Sequence, residues 1–188
     1  MKTGIIVVIV VVLAVLLGGC EFVSTRNRLA TEKESISGQW SQVDADLQRR
    51  ADLIPNLVET VKGYAKEETS VVQAVADARA QMAGAKTPQE KIDASNRIDG
   101  ALGRLLVVVE NYPNLKANEN FKQLQYELAG TENRILQSRR RYNEAVQKYN
   151  TELSLFPANI VASMSGFQRE DAYFKTEPGS RTVPKVQF

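Results

Sequence analysis

The chain has 188 residues; 43% are hydrophobic and 24% charged, and 24 Lys+Arg against 22 Asp+Glu leave a net charge of +2. That balance fits one ordinary globular domain and lacks the strong basic bias of a nucleic-acid binder. Histidine is absent and cysteine occurs once, at Cys20, which excludes Ser-His and Cys-His catalysis, histidine metal sites and an internal disulfide. No cofactor and no metal ion is expected.

The first element is an apolar segment. After Lys2, residues 4–19 run GIIVVIVVVLAVLLGG without a charge. As a helix they span about 24 Å at about 1.5 Å per residue, short of the roughly 30 Å hydrocarbon core. The run ends on Leu17, Gly18, Gly19 and Cys20, which resembles a bacterial lipobox. That resemblance implies cleavage before Cys20 and lipidation of its thiol. Stable anchoring then takes two or more acyl chains. Residues 1–19 are thus read as a signal or anchor segment and the body as extracytoplasmic. Glu21, rather than aspartate, follows the cysteine, which by resemblance to lipoprotein sorting rules favours the periplasmic face of an outer membrane where the cell has two. The alternative is an uncleaved anchor. Arg26, Arg28 and Lys33 follow the run, and the positive-inside bias would then put the body in the cytoplasm.

Downstream, apolar positions recur at three and four, the helical period. The first stripe is Leu29, Ile36, Trp40, Val43 and Leu47. Trp40, the sole tryptophan, is placed in the core, with the membrane interface as the alternative. The segment Arg49–Asn56 is expected to break the helix at Pro55, with Asp52 capping the next one; a kinked continuous helix is the alternative. The second stripe is Leu57, Val61, Tyr64, Val71, Val75, Ala78 and Met82. Thr87-Pro88-Gln89-Glu90 then has the form of a capping box with proline at the first helical position. The third stripe is Ile92, Ile98, Leu102, Leu105, Val109 and Tyr112, stopped by Pro113. The fourth helix starts near residues 114–118, carries Phe121, Leu124, Leu128, Ile135, Tyr142, Val146, Tyr149 and Leu153, and ends at Phe156-Pro157.

Four long stripes on short connections predict an all-α fold: a long antiparallel up-and-down four-helix bundle over residues 20–157, behind an N-terminal membrane anchor. Residues 158–174 form a short apolar segment, and 175–188, with two prolines, are expected to be flexible.

Charged groups inside these stripes must be paired or solvated, since unpaired buried charge costs several kcal/mol. Glu132 and Arg139 lie seven apart on one face, and Arg139 can instead meet Asp52 or Asp44 across the bundle. Asp44, Arg49, Asp52, Glu132 and Arg139 are therefore read as a structural polar network rather than a catalytic site. Tyr142-Asn143 recurs as Tyr149-Asn150. The rings are expected to pack inward and the asparagines to hydrogen-bond a neighbouring helix.

Three blocks resemble the LemA family. The first runs from Trp40 to Ala65 and includes Asp44, Arg49, Arg50, Asp52, Pro55, Asn56, Gly63 and Tyr64. The second runs from Tyr112-Pro113 through Leu115, Lys116, Ala117 and Phe121 to Gln125. The third holds Thr131, Glu132, Ile135, Arg139, Tyr142, Asn143, Tyr149, Asn150, Phe156 and Pro157, with Gly166-Phe167 and Tyr173-Phe174 beyond. The resemblance implies a membrane-anchored helical bundle, and no settled biochemical activity. Some relatives are associated with membrane organisation and with envelope proteolysis and stress. Many carry a plain transmembrane segment where this chain has a lipobox.

Two functions follow. The first is a non-enzymatic scaffold or adaptor that presents a helical face to an envelope or membrane protein, or to a second copy, and binds no nucleic acid. The second is a carboxylate-dependent hydrolase using Asp44, Asp52 and Glu132.

Overall fold

A computed structural model describes residues 2–65 and 67–175. The described residues form six helices and no strand: α1 (Lys2–Tyr64), α2 (Thr69–Gly84), α3 (Pro88–Val109), α4 (Pro113–Ala117), α5 (Glu119–Glu152) and α6 (Ala158–Ser165). The fold is all-α. The tail expected to be flexible lies, from residue 176 on, outside the described residues. The chain divides into two compact units, one of Met1–Gln39 with Glu144–Asp171, the other of Trp40–Asn143 with Ala172–Phe188.

In the first unit the start of α1 exposes its large apolar side chains, from Ile5 at 60% to Leu17 at 70%. The helix that carries this stretch is, by length and composition, long and apolar enough to cross a membrane. Burial begins afterwards, at Thr25 and then Leu29 and Ile36 of α1, with Val146 and Tyr149 of α5, and Ala158, Val161 and Ala162 of α6. Arg28 pairs with Glu152, and the buried Glu32 with Lys148 at 3.3 Å. Burial, and next to it the charge of Glu170, pushes the Tyr149 hydroxyl above its ordinary range. It stays protonated and donates to the Gln168 carbonyl at 2.9 Å. Gly166 ends α6 in the left-handed region at φ 74°, a conformation open to glycine without a Cβ clash.

The second unit holds the remaining stripes. Val43, Leu47, Ile54, Leu57 and Val61 of α1 are buried, with Val75, Ala78 and Met82 of α2, Ile92, Ile98, Leu102, Leu105 and Val109 of α3, and Phe121, Ile135 and Tyr142 of α5. α2 packs along α3.

The break expected at Pro55 does not occur: α1 runs through it. Proline has no N–H to give to the carbonyl four residues back, which here is that of buried Ala51. Arg79 of α2 supplies the missing donor, its Nε reaching the Ala51 oxygen at 3.2 Å. The helix therefore ends later, at Tyr64, and the second stripe is shared between the end of α1 and the separate α2. The burial phase shifts with it. Val72 is buried rather than Val71, and Tyr64 is 45% exposed.

At α3 the capping box forms. Thr87 Oγ1 accepts from the Glu90 N–H at 3.2 Å, and Glu90 Oε2 accepts from the N–H groups of Thr87 and Lys86 at 3.1 and 2.7 Å. These bonds, that from Lys86 foremost, hold the Glu90 carboxyl below the usual carboxylate range. The fourth predicted helix is divided. The five-residue α4 precedes Asn118, whose Oδ1 accepts the Phe121 N–H at 3.0 Å and caps α5. α5 stops at Glu152, before the expected Phe156-Pro157.

Candidate functional site

A continuous charged cluster lies on α1, α3 and α5 in the second unit. Arg50 is 7% exposed and reaches two carboxylates, hydrogen-bonding Asp99 and lying 2.8 Å from Glu132. Asp99 also meets Arg139 at 3.4 Å, and Arg139 donates to the buried Ser95 hydroxyl at 2.6 Å. Two guanidiniums thus face two carboxylates, and the cluster is formally neutral. Such a network makes the register of three helices interdependent, because shifting any one strands a charge.

Sequence reasoning pairs Glu132 with Arg139, or Arg139 with Asp52 or Asp44. The structure gives them different partners. Glu132 goes to Arg50, and Arg139 to Asp99. Asp44 pairs with Lys91, away from the cluster. Arg49 and Asp52 point to solvent, and Asp52 accepts from Gln48 at 2.8 Å. The reason is rotation: successive helical residues are turned by about 100°, so of the Arg49-Arg50 pair only one can face inward. A signal for the right one is present in the sequence. Arg50 stands three after Leu47 and four before Ile54, in phase with Val43, Leu57 and Val61. Asp99 and Ser95 sit in the same way between Ile92 and Leu102 on α3.

Beside the cluster opens an apolar cleft of about 580 Å³, walled by Leu57, Leu102, Leu105, Leu106 and Leu128, with Arg50, Asp99 and Glu132 at its polar end. Among the described residues no three metal-ligating side chains come together.

The repeated Tyr-Asn pairs of α5 do something other than bridge helices. Asn143 clamps the main chain of Phe174, its Nδ2 donating to the carbonyl at 2.8 Å and its Oδ1 accepting the N–H at 3.1 Å. In the first unit Asn150 clamps Glu170 in the same way, at 2.7 and 3.0 Å. Both targets belong to non-helical chain after α6. The Phe174 ring lies 6.2 Å from Trp40 and 6.0 Å from Tyr142, centroid to centroid, with the Arg139 guanidinium 4.8 Å from its own centroid. Trp40 and Tyr142 also meet edge to face at 5.2 Å. Trp40 is therefore half-buried, in an aromatic cluster.

Comparison with known proteins shows the family. The LemA family model matches residues 39–188. Two proteins of Paramagnetospirillum magneticum (strain AMB-1), magnetosome proteins MamQ 1 and MamQ 2, are each 29% identical to this chain over 83% of it and 66% of their own length. The protein LemA of Metamycoplasma hominis is 24% identical over 75% of this chain and 65% of its own. The chain thus spans just under two thirds of the length of these relatives.

Proposed function

The chain belongs to the LemA family, and we propose that it is a membrane-anchored scaffold or adaptor of the bacterial envelope, non-enzymatic, with its helices packed as an antiparallel up-and-down bundle. The observation that carries the anchoring is the start of α1, where a charge-free run exposes every large apolar side chain described. A soluble body does not keep such a surface in water.

The bundle reading is supported by the order of the contacts. Trp40 meets Tyr142 and Arg50 meets Glu132, so numbers fall on α5 as they rise on α1. In the other unit Arg28 with Glu152 and Glu32 with Lys148 run the same way. Asp44 with Lys91 and Arg50 with Asp99 rise together, as first and third helices of an up-and-down bundle do.

The scaffold reading is supported by the fate of the charges. Asp44, Asp52 and Glu132, the acids a hydrolase would use, each serve a separate structural partner. Two relatives are named as magnetosome proteins, which supports a membrane-associated role. The partner is then an envelope or membrane protein, or a second copy.

For the anchor we favour cleavage after Leu17-Gly18-Gly19 and lipidation of Cys20, the sole cysteine and an exposed one. This places the body outside the cytoplasm. A second reading, an uncleaved single span with a cytoplasmic body, is favoured by the unbroken course of α1 through residues 17–20. Intact and N-terminal peptide mass spectrometry of protein extracted from its native membrane separates them. A mature chain starting at acylated Cys20 is expected; a chain that keeps residues 1–19 and an unmodified thiol overturns the lipoprotein reading. The scaffold reading itself fails if a hydrolytic activity is found that Asp52→Asn or Glu132→Gln abolishes with helicity and melting unchanged.

A further inference from the structure

The contacts of Phe174 are those of a peptide in a receptor. The asparagine amide bonds both main-chain groups of one residue, which holds the backbone whatever its side chain. The ring enters a socket of Trp40, Tyr142 and Arg139. Main-chain clamp plus aromatic pocket is a division between affinity and selectivity, and here the occupant is the chain's own segment. That segment is not part of any helix, and the division between the two compact units falls within it, between Asp171 and Ala172.

We infer that the Trp40–Tyr142–Asn143 socket is a binding site for a non-helical, aromatic-bearing peptide, and that its intermolecular occupant is the Phe174 segment of a second copy. The second copy is the partner the observations favour, since an identical segment reproduces every contact in trans without a new interface, the low-cost route by which chains exchange elements. Copies held on one membrane surface meet at raised effective concentration. The inference rests on the scaffold reading and names the segment that joins copies.

The single tryptophan makes the socket directly observable. A synthetic peptide of residues 167–175 is titrated onto full-length Phe174→Ala protein in detergent micelles, with Trp40 fluorescence as the readout. A saturable change is expected. It should weaken at least tenfold when the peptide carries alanine in place of its Phe174, or when the protein also carries Asn143→Ala. If Phe174→Ala loses helicity, Phe174→Leu takes its place. An unchanged signal, or equal binding of the alanine peptide, overturns the socket. Next, full-length Phe174→Ala, with an intact socket, is mixed with full-length Asn143→Ala, with an intact key. A one-to-one pair in sedimentation is expected that neither variant forms alone. Peptide binding without this pair overturns the second copy as occupant. Neither measurement depends on the state of Cys20, which N-terminal mass reads separately.

Discussion

Two stretches of α1 are built from the same residue types and meet opposite fates. Residues 4–19 are Ile, Val, Leu, Ala and Gly, and their described large side chains lie exposed. Farther along the same helix Val43, Leu47, Ile54, Leu57 and Val61 are at most 1% exposed. The difference is pattern rather than composition. The first stretch has no polar face and so no direction in which to pack; the second concentrates its apolar groups on one stripe that other helices cover. Apolarity all round suits a bilayer, and apolarity on one side suits a core.

The largest effects should come from exchanging these roles. Leu47→Ala should cost about 2–5 kcal/mol of unfolding free energy by denaturant titration and leave the chain in the membrane fraction. Leu13→Arg should do the reverse. Where residues 1–19 are retained, the cost of about 2.5–3.5 kcal/mol for a charge in mid-bilayer should release chain from the membrane fraction. Where they are removed before Cys20, the substitution should act only on the uncleaved precursor. The melting of the folded body stays unchanged in both cases. If both substitutions lower the melting temperature alike, the two stretches are one core and the comparison collapses.

Arg50→Ala probes the polar gap in the buried stripe. Losing one partner of a buried pair costs about 3–5 kcal/mol. Asp99 and Glu132 keep about a third of their side-chain area in water, so about 2 kcal/mol is expected. Arg49→Ala, one residue away and exposed, should change stability by less than about 0.5 kcal/mol.

Arg79→Ala should cost about 1–2 kcal/mol by stranding the Ala51 carbonyl. In a Pro55→Ala background, where residue 55 regains its N–H, the same substitution should cost almost nothing. A double-mutant cycle without coupling would refute the donor's role.

The smallest effects belong to the α3 cap. Thr87→Ala should cost about 1 kcal/mol. Because the folded-state pKa of Glu90 is lowered, its unfolded form binds more protons between the two values. Its contribution is therefore complete above the ordinary carboxylate range and is lost as pH falls through the folded value. Melting of Glu90→Gln should trail the parent at neutral pH and converge with it in acid.

These particulars also mark where sequence reading stops. The capping box was legible because all its parts lie within four residues. The stripes were legible because burial follows a local period. Pro55 was not, because the group that repairs it is 28 residues from the carbonyl it serves. The charged network was half legible: Glu132 and Arg139 stand in an apolar stripe, whereas the choice of Arg50 over Arg49 required following the phase of the neighbouring leucines. The Tyr-Asn repeat is visible in the sequence, but the targets of its asparagines lie in a segment without period, where pattern carries no information.

The Arg79 bond to Ala51 has a consequence for synthesis. A chain made from its N-terminus exposes residues 51–55 well before residue 79 leaves the ribosome. During that interval α1 contains a missing rung with no substitute donor, and the helix can flex there. Completion of α2 then closes the gap. Until residue 79 emerges, the Ala51 carbonyl lacks the donor that serves it in the folded protein, so α1 is least supported at residues 51–55.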